Sequence, residues 1–332
     1  MTRCVALILA AIAALPACEE PAAPPSGPGT WTEAFDASSL WLLSVSGTSA
    51  TDLWAVGGQP DQGRIMRFDG AWREQPVEGG VPLLNWVHAF APDDVMIAGN
   101  GGTILRWDGA TLRPMDTPTD QDLWGLWGAT PNDVWAVGGR GMKDEDRTVL
   151  RWDGTSWKAV ELPPLVRPKV SAFNKVWGSS ATDVYIVGRN GAVLHWDGAV
   201  IEELGVGAST DLIGVWGTGP DRVVIVGGRA GGVVSRWDGK SWRTEQLPTL
   251  PGINGVWMRS GDRFHVAANQ GTLATFDFET LTPRVDAIET EVDFHGLFGD
   301  PSGRLWAVGG NFLYAGGPWV GAALERRLGD EE

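Results

Sequence analysis

One phrase recurs along the chain: an acidic residue, four mostly apolar residues, then glycine. It is clearest at Asp133-Val-Trp-Ala-Val-Gly138 and returns at 52–57, 94–99 and 183–188. Looser copies end at Gly227, Ala268 and Gly309. Successive end points lie 42, 39, 50, 39, 41 and 41 residues apart, so the chain holds seven units of similar length. Eleven residues before each end point stand Ser46, His88, Trp127, Trp177, Trp216, Trp257 and Phe298, each preceded by Val or Leu. After each end point a Gly- or Asn-containing turn leads into a short apolar run ending in an aromatic. These runs are 64–68, 103–107, 148–152, 192–196, 233–237 and 272–276, with a shorter seventh at 312–314. Asp-Gly follows five of them, at Asp69, Asp108, Asp153, Asp197 and Asp238. That dipeptide between apolar runs predicts hairpins with type I′ turns. A further run follows, opened by Trp72, Trp157 or Trp242 in three units.

Each unit thus predicts four short strands, a to d. Adjacent apolar residues on strand a suit a sheet covered on both faces. One such sheet cannot bury both faces, but seven in a ring can. The tryptophans recur at fixed positions and read as wedges between sheets. Trp31-Thr-Glu-Ala-Phe35 is similar to the fourth strand Trp157-Lys-Ala-Val-Glu161, yet precedes the first unit. It is expected to complete the last sheet. The segment 319–324, opening at Trp319, competes for that place; with 31–35 preferred, 325–332 becomes a charged tail.

Composition agrees with an all-β chain: 46 Gly and 19 Trp in 332 residues. Lys plus Arg is 26 and Asp plus Glu is 41, a net charge of −15, so no nucleic-acid partner is expected. The two cysteines, Cys4 and Cys18, leave the repeats without a disulfide, a thiolate metal site or a cysteine nucleophile.

The repeat resembles β-propeller families, and the kelch repeat is nearest in layout. Gly138-Gly139, Trp152 and Trp157 carry that resemblance, as do Gly57-Gly58, Phe68 and Trp72, and Gly227-Gly228, Trp237 and Trp242. Units two, four and six lack the second Gly. WD40 repeats share Trp107-Asp108, but their Gly-His dipeptide is missing; the Asp-box order is not matched. The implied fold is all-β: a seven-bladed β-propeller of four-stranded antiparallel blades over 31–324. A propeller resemblance implies architecture, not activity.

The amino end carries an address. Arg3 precedes an apolar run over 4–15, too short to span a bilayer. Leu15-Pro16-Ala17-Cys18 resembles the bacterial lipobox, with Pro16 a departure from the usual small residue. The resemblance implies a lipoprotein signal peptide over 1–17, acylation (palmitate) at Cys18, and a Pro-rich tether over 18–30. Glu19 rather than Asp favours the outer membrane. An ordinary signal peptide cut after Ala17 is the alternative.

Chemistry is sparse. His88 and His265 stand where sister units place bulky residues, and His195 stands where they place Arg67, Arg106, Arg151 and Arg236. No spacing suits zinc, and no hydrolase elbow or phosphate loop occurs, so no cofactor, metal or catalytic residue is expected. The repeated Asp52, Asp94, Asp133 and Asp183 suit turn capping better than calcium. Loops depart from the repeat more. Between strands b and c, unit three carries nine residues, 139–147, where units two, four and six use three. The d-to-a connections at 161–172 and 281–292 are also long. In propellers these two loop classes open on one face. Trp86, Trp124, Lys143, Arg147, Arg167 and Lys169 are the candidate binding residues there. The expected function is a membrane-anchored, monomeric, non-enzymatic binding or scaffold protein for a protein or glycan. A propeller hydrolase or lyase acting on an extracellular polymer is the alternative.

Overall fold

The computed structural model describes residues 29–311 and 320–329. The seven units each form one four-stranded antiparallel sheet. The first blade runs Leu42–Ser49, Asp52–Gln59, Gln62–Phe68 and Trp72–Glu74 as strands a to d. The a strands of blades 2 to 7 are Leu84–Ala91, Leu123–Thr130, Phe173–Ser180, Leu212–Gly219, Ile253–Trp257 and Phe294–Gly299. Each a strand touches the next around the ring, and blade 1 returns to blade 7. The fold is a seven-bladed β-propeller.

The core is divided into seven large clusters, each straddling two neighbouring blades, and one small one of Trp41, Leu43 and Leu83. Trp54 and Ile65 of blade 1 pack with Leu84, Ile97 and Trp107 of blade 2. Trp135 and Val149 of blade 3 pack with Phe173 and Ile186 of blade 4. The remaining five joints repeat this arrangement. No blade has a private core, because a single sheet buries its faces only against its neighbours.

Glycine allows the blades to approach. A Cβ on Gly178 of blade 4 would stand 2.7 Å from the Trp127 ring of blade 3 and 2.6 Å from the Asp183 carbonyl. Gly217 meets Trp177 in the same way, and Gly299 meets Trp257. The glycine ending strand b has its own reason. A Cβ on Gly57, Gly138 or Gly227 would strike the carbonyl preceding the blade's own a strand, that of Trp41, Asp122 or Asp211.

Closure corrects part of the sequence reading. The last sheet orders Phe294–Gly299, Arg304–Gly310, Gly321–Arg327 and Thr32–Glu33. Thr32 pairs with Glu325 and Glu33 with Leu324. The amino-terminal strand is therefore d, and the two segments expected to compete occupy different places. The third strand is 321–327 rather than 312–314, which lies outside the described residues. It also takes in 325–327, expected as tail. The cause is Arg326, 1% exposed, which donates to His265 Nδ1 and to Thr275 Oγ1, each at 3.1 Å. Its guanidinium also lies over the Trp31 ring, whose Nε1 donates to Asp286 at 2.8 Å. A charged residue with three such partners is held inside rather than left in a tail.

Two smaller readings also change. The fourth strand of blade 6 is Pro283–Val285, inside the segment expected to be a connection. The Asp-Gly turns after Trp107, Trp152, Trp196 and Trp237 are four-residue loops, not two-residue type I′ turns. Only their glycines have positive φ, at 91°, 88°, 95° and 83°. Each Asp instead accepts two backbone N–H groups; Asp108 takes those of Ala110 and Thr111 at 3.0 and 2.8 Å.

Two outcomes follow from this packing. Gly178→Ala is expected to cost about 1–3 kcal/mol by overpacking. Gly219→Ala, whose Cβ would meet nothing within 4 Å, is expected to be near neutral. Urea unfolding of both checks this, and equal stability of the two variants contradicts it. The second outcome concerns pH. Burial holds His88 down at about 4, and burial with the Arg326 charge holds His265 at about 3. The unfolded chain takes up those protons near the ordinary ~6.5. It therefore binds more protons than the folded chain below that value, and stability falls as pH drops from 7 towards 4. Melting temperatures at pH 7 and pH 5 are expected to show the fall, and His88→Phe is expected to lessen it.

Candidate functional site

Strand a carries an irregularity at the same place in every blade. Pairing with strand b skips one residue between positions such as Leu42 and Ser44, or Leu123 and Gly125. The skipped residues are Leu43, Asn85, Trp124 and Asn174 in blades 1 to 4. They are Ile213, Asn254 and His295 in blades 5 to 7. A bulge leaves one residue out of the ladder and re-aims its side chain. All seven line one cavity of about 340 Å³ at the centre of the ring. Its remaining lining residues are Lys175, next after the blade 4 bulge, and Arg189 and Arg229 from the b–c turns of blades 4 and 5. The mouth therefore opens on the face that carries the b–c loops and the starts of the a strands.

The bulge asparagines tie blade to blade. Asn85 Nδ2 donates to the Leu123 carbonyl of blade 3 at 2.9 Å. Asn174 Nδ2 reaches the Leu212 carbonyl of blade 5 at 2.7 Å, and Asn254 Nδ2 the Phe294 carbonyl of blade 7 at 2.8 Å. A carbonyl can only accept, so these contacts fix which way each amide points. His295 Nε2 meets the Gly310 carbonyl at 2.9 Å and is the donor there by the same argument. Burial and the Lys175 charge hold this histidine below its usual range.

Lys175 is the unusual group. Its Nζ donates to the Trp124 carbonyl at 2.6 Å and sits 4.4 Å from the centre of the Trp86 ring. Burial lowers its pKa to about 7. Arg189 Nη1 donates to the Gly141 carbonyl at 2.8 Å, and Arg229 Nε to Asp211 at 2.9 Å. None of the residues lining the cavity is acidic. Among the described residues no cluster of His, Cys, Asp or Glu could hold a metal ion, and no helix is long and apolar enough to cross a membrane.

The sequence-chosen residues divide. Trp124 lines the cavity and donates Nε1 to the Gly139 carbonyl at 3.0 Å. Trp86 lies under the Lys175 ammonium. The loop 139–147 reaches the rim through the Arg189 contact with Gly141. On it Lys143 is exposed, while Arg147 turns back to the Asp144 and Val170 carbonyls. Arg167 donates to the Asn190 carbonyl at 3.1 Å beside the blade 4 turn, and Lys169 is exposed at a φ of 58°. Cys18 lies outside the described residues. Sequence reasoning missed Lys175, Arg189, Arg229 and the bulge residues other than Trp124. A signal existed: Lys175 stands where four other units carry Gly, at 125, 214, 255 and 296.

The repeated carboxylates have a structural use. Arg106 grips Asp94 at 2.9 and 2.8 Å, and Arg151 grips Asp133 at 2.7 and 3.0 Å. His195 meets Asp183 at 2.7 Å. Arg67 instead stacks between Trp54 and Trp107, 4.8 Å from each ring centre. Asp94, Asp133 and Asp183 thus bridge strands b and c, whereas Asp52 accepts the Thr48 hydroxyl at 2.6 Å within its own turn, and Asp183 also accepts the Ser179 hydroxyl there.

No protein-family profile and no curated protein matches the chain. Solved propellers do. A virginiamycin B lyase from Staphylococcus aureus, in an inactive form with quinupristin, superimposes with a TM-score of 0.71 at 11% identity, over 90% of this chain and 99% of that one. A streptogramin B lyase gives 0.69 at 12%, over 90% and 97%. YCF48 bound to a D1 peptide gives 0.67 at 16%, over 92% and 99%. At such identity the likeness shows the fold.

The depressed Lys175 makes one testable claim. The unfolded chain holds that proton up to the ordinary value of ~10.4, whereas the folded chain releases it near neutrality. Between these values stability rises with pH. Lys175→Met is therefore expected to melt higher than wild type at pH 7, with the gap narrowing by pH 10. A lower melting temperature for the variant at pH 7 contradicts this.

Proposed function

We propose that the protein is a membrane-anchored, non-enzymatic binding protein. It presents the channel mouth and its surrounding loops to a protein or glycan partner. The observation that carries this reading is the set of side chains gathered at the mouth. They are amides, an indole, an imidazole, two aliphatic chains and three basic groups, and no carboxylate lies among them to pair with His295 or Lys175. The rim supports contact with a macromolecule: Met142 and Val166, on the two long loops of blade 3, are 84% and 90% exposed. Among the structural neighbours, YCF48 was captured with a peptide. Anchoring rests on the lipobox resemblance at Cys18, and Cys18→Ser is expected to move the protein from the membrane to the soluble fraction.

A second reading has one observation in its favour. Lys175 sits in the channel with its pKa at about 7, within range of a general base, and two structural neighbours are lyases. It makes the protein a hydrolase or lyase on an extracellular polymer. A glycan array and an envelope-extract pull-down separate the two. Binding expects a partner recovered intact and lost when 139–147 is replaced by Asn-Gly-Gly with the melting temperature kept. Recovery of cleaved material favours the second reading, and retention of the partner by the loop variant removes this loop from the contact.

A further inference from the structure

The channel itself specifies what enters it. Its cations, Lys175, Arg189 and Arg229, converge from blades 4 and 5 in a chain of net charge −15. Basic groups of one sign around a cavity focus a positive potential there that draws an anionic guest, and the guest's charge in turn favours the protonated form of Lys175. Each cation already gives one donor to the protein: Lys175 to Trp124, Arg189 to Gly141, Arg229 to Asp211. An ammonium has three N–H groups and a guanidinium five, so donors outnumber these partners.

Two further features narrow the guest. Asn85 is 1% exposed, and its Oδ1 is buried without a hydrogen-bond partner, while its Nδ2 is fixed by the Leu123 and Asn100 oxygens. A buried acceptor left empty costs free energy that a guest N–H would recover. Leu43, Ile213 and the Trp124 ring give the same cavity apolar wall. The guest therefore needs an anion, an N–H donor and an apolar body within about 340 Å³. A carboxylate beside an N-acylated nitrogen on an apolar side chain has all three. A sugar acid lacks the apolar side chain, and an inorganic anion lacks both the N–H and the body.

We propose that the central channel binds an N-acyl α-amino carboxylate with an apolar side chain, either the free C-terminus of a peptide or a small N-acylated amino acid. This deepens the binding reading above and rests on it. The cations take the carboxylate, Asn85 Oδ1 accepts the N–H, and Trp124, Leu43 and Ile213 receive the side chain.

The test is calorimetry on the chain from Thr30 onward, which holds all seven blades. The probes are acetyl-Ala-Ala-Ala-Leu as free acid and as amide, with N-acetyl-leucine as the small acid. The free acid is expected to bind at least tenfold more tightly than the amide. Lys175→Met and Arg229→Gln are each expected to weaken the free acid about tenfold, with the amide unaffected. Arg229 lies on an exposed turn, so its variant keeps the test valid should Lys175→Met disturb the fold. A tetrapeptide much tighter than N-acetyl-leucine assigns the peptide source, and equal affinities assign the small acid; both support the inference. Equal binding of acid and amide, or no binding of any probe, overturns it while leaving the loop face as a protein or glycan surface. Cleavage of a probe would instead overturn the non-enzymatic reading.

Discussion

The structure depends on apolar surface shared across the joints between blades, closed at three of them by an indole against glycine. Trp127 on Gly178, Trp177 on Gly217 and Trp257 on Gly299 bring consecutive a strands into contact. At these three joints a bulky side chain on one strand fits only where the next strand has none, and blade 4 supplies both halves, Gly178 to blade 3 and Trp177 to blade 5. Every apolar cluster then spans two blades, and the seven sheets stand or fall together. Where the pattern lapses, other contacts serve. His88 takes the wedge position in blade 2 and bonds the Gly128 backbone, and Trp216 donates to the Met258 carbonyl at 3.2 Å.

That constraint also creates the channel. Seven a strands drawn to one axis leave no space for side chains pointing inward along their length. Gly occupies the position after the bulge in blades 3, 5, 6 and 7, where a Cβ would press on the next blade's a strand, as at Gly255 against the His295 carbonyl at 2.6 Å. The bulge one residue earlier turns a side chain into the widened mouth instead. Three of these positions keep a structural duty, the inter-blade bonds of Asn85, Asn174 and Asn254. The other four, Leu43, Trp124, Ile213 and His295, differ in chemistry from blade to blade.

The repeat was legible in the sequence because packing demands the same residue types seven times. Glycine at the end of strand b, the wedge aromatic and the Asp-Gly turn each answer a steric or hydrogen-bonding need that recurs. The site was illegible for the complementary reason. Asn recurs at the bulge in blades 2, 4 and 6 but the other four residues differ, so no pattern spans the seven units, and only Trp124 stood out by its size. The last blade misled differently. The run 312–314 follows the repeat spacing, yet the paired strand lies at 321–327, where Arg326 finds His265 and Thr275. Pairing partners, not spacing, decide which run becomes the strand.

Native-state hydrogen exchange tests the central claim most directly. If each joint is shared, no blade opens alone. The slowest amides of strands a and b are expected to show one protection free energy in all seven blades, equal to that of global unfolding. Blades that exchange at separate, lower free energies would show that the sheets are independent units and would contradict the account.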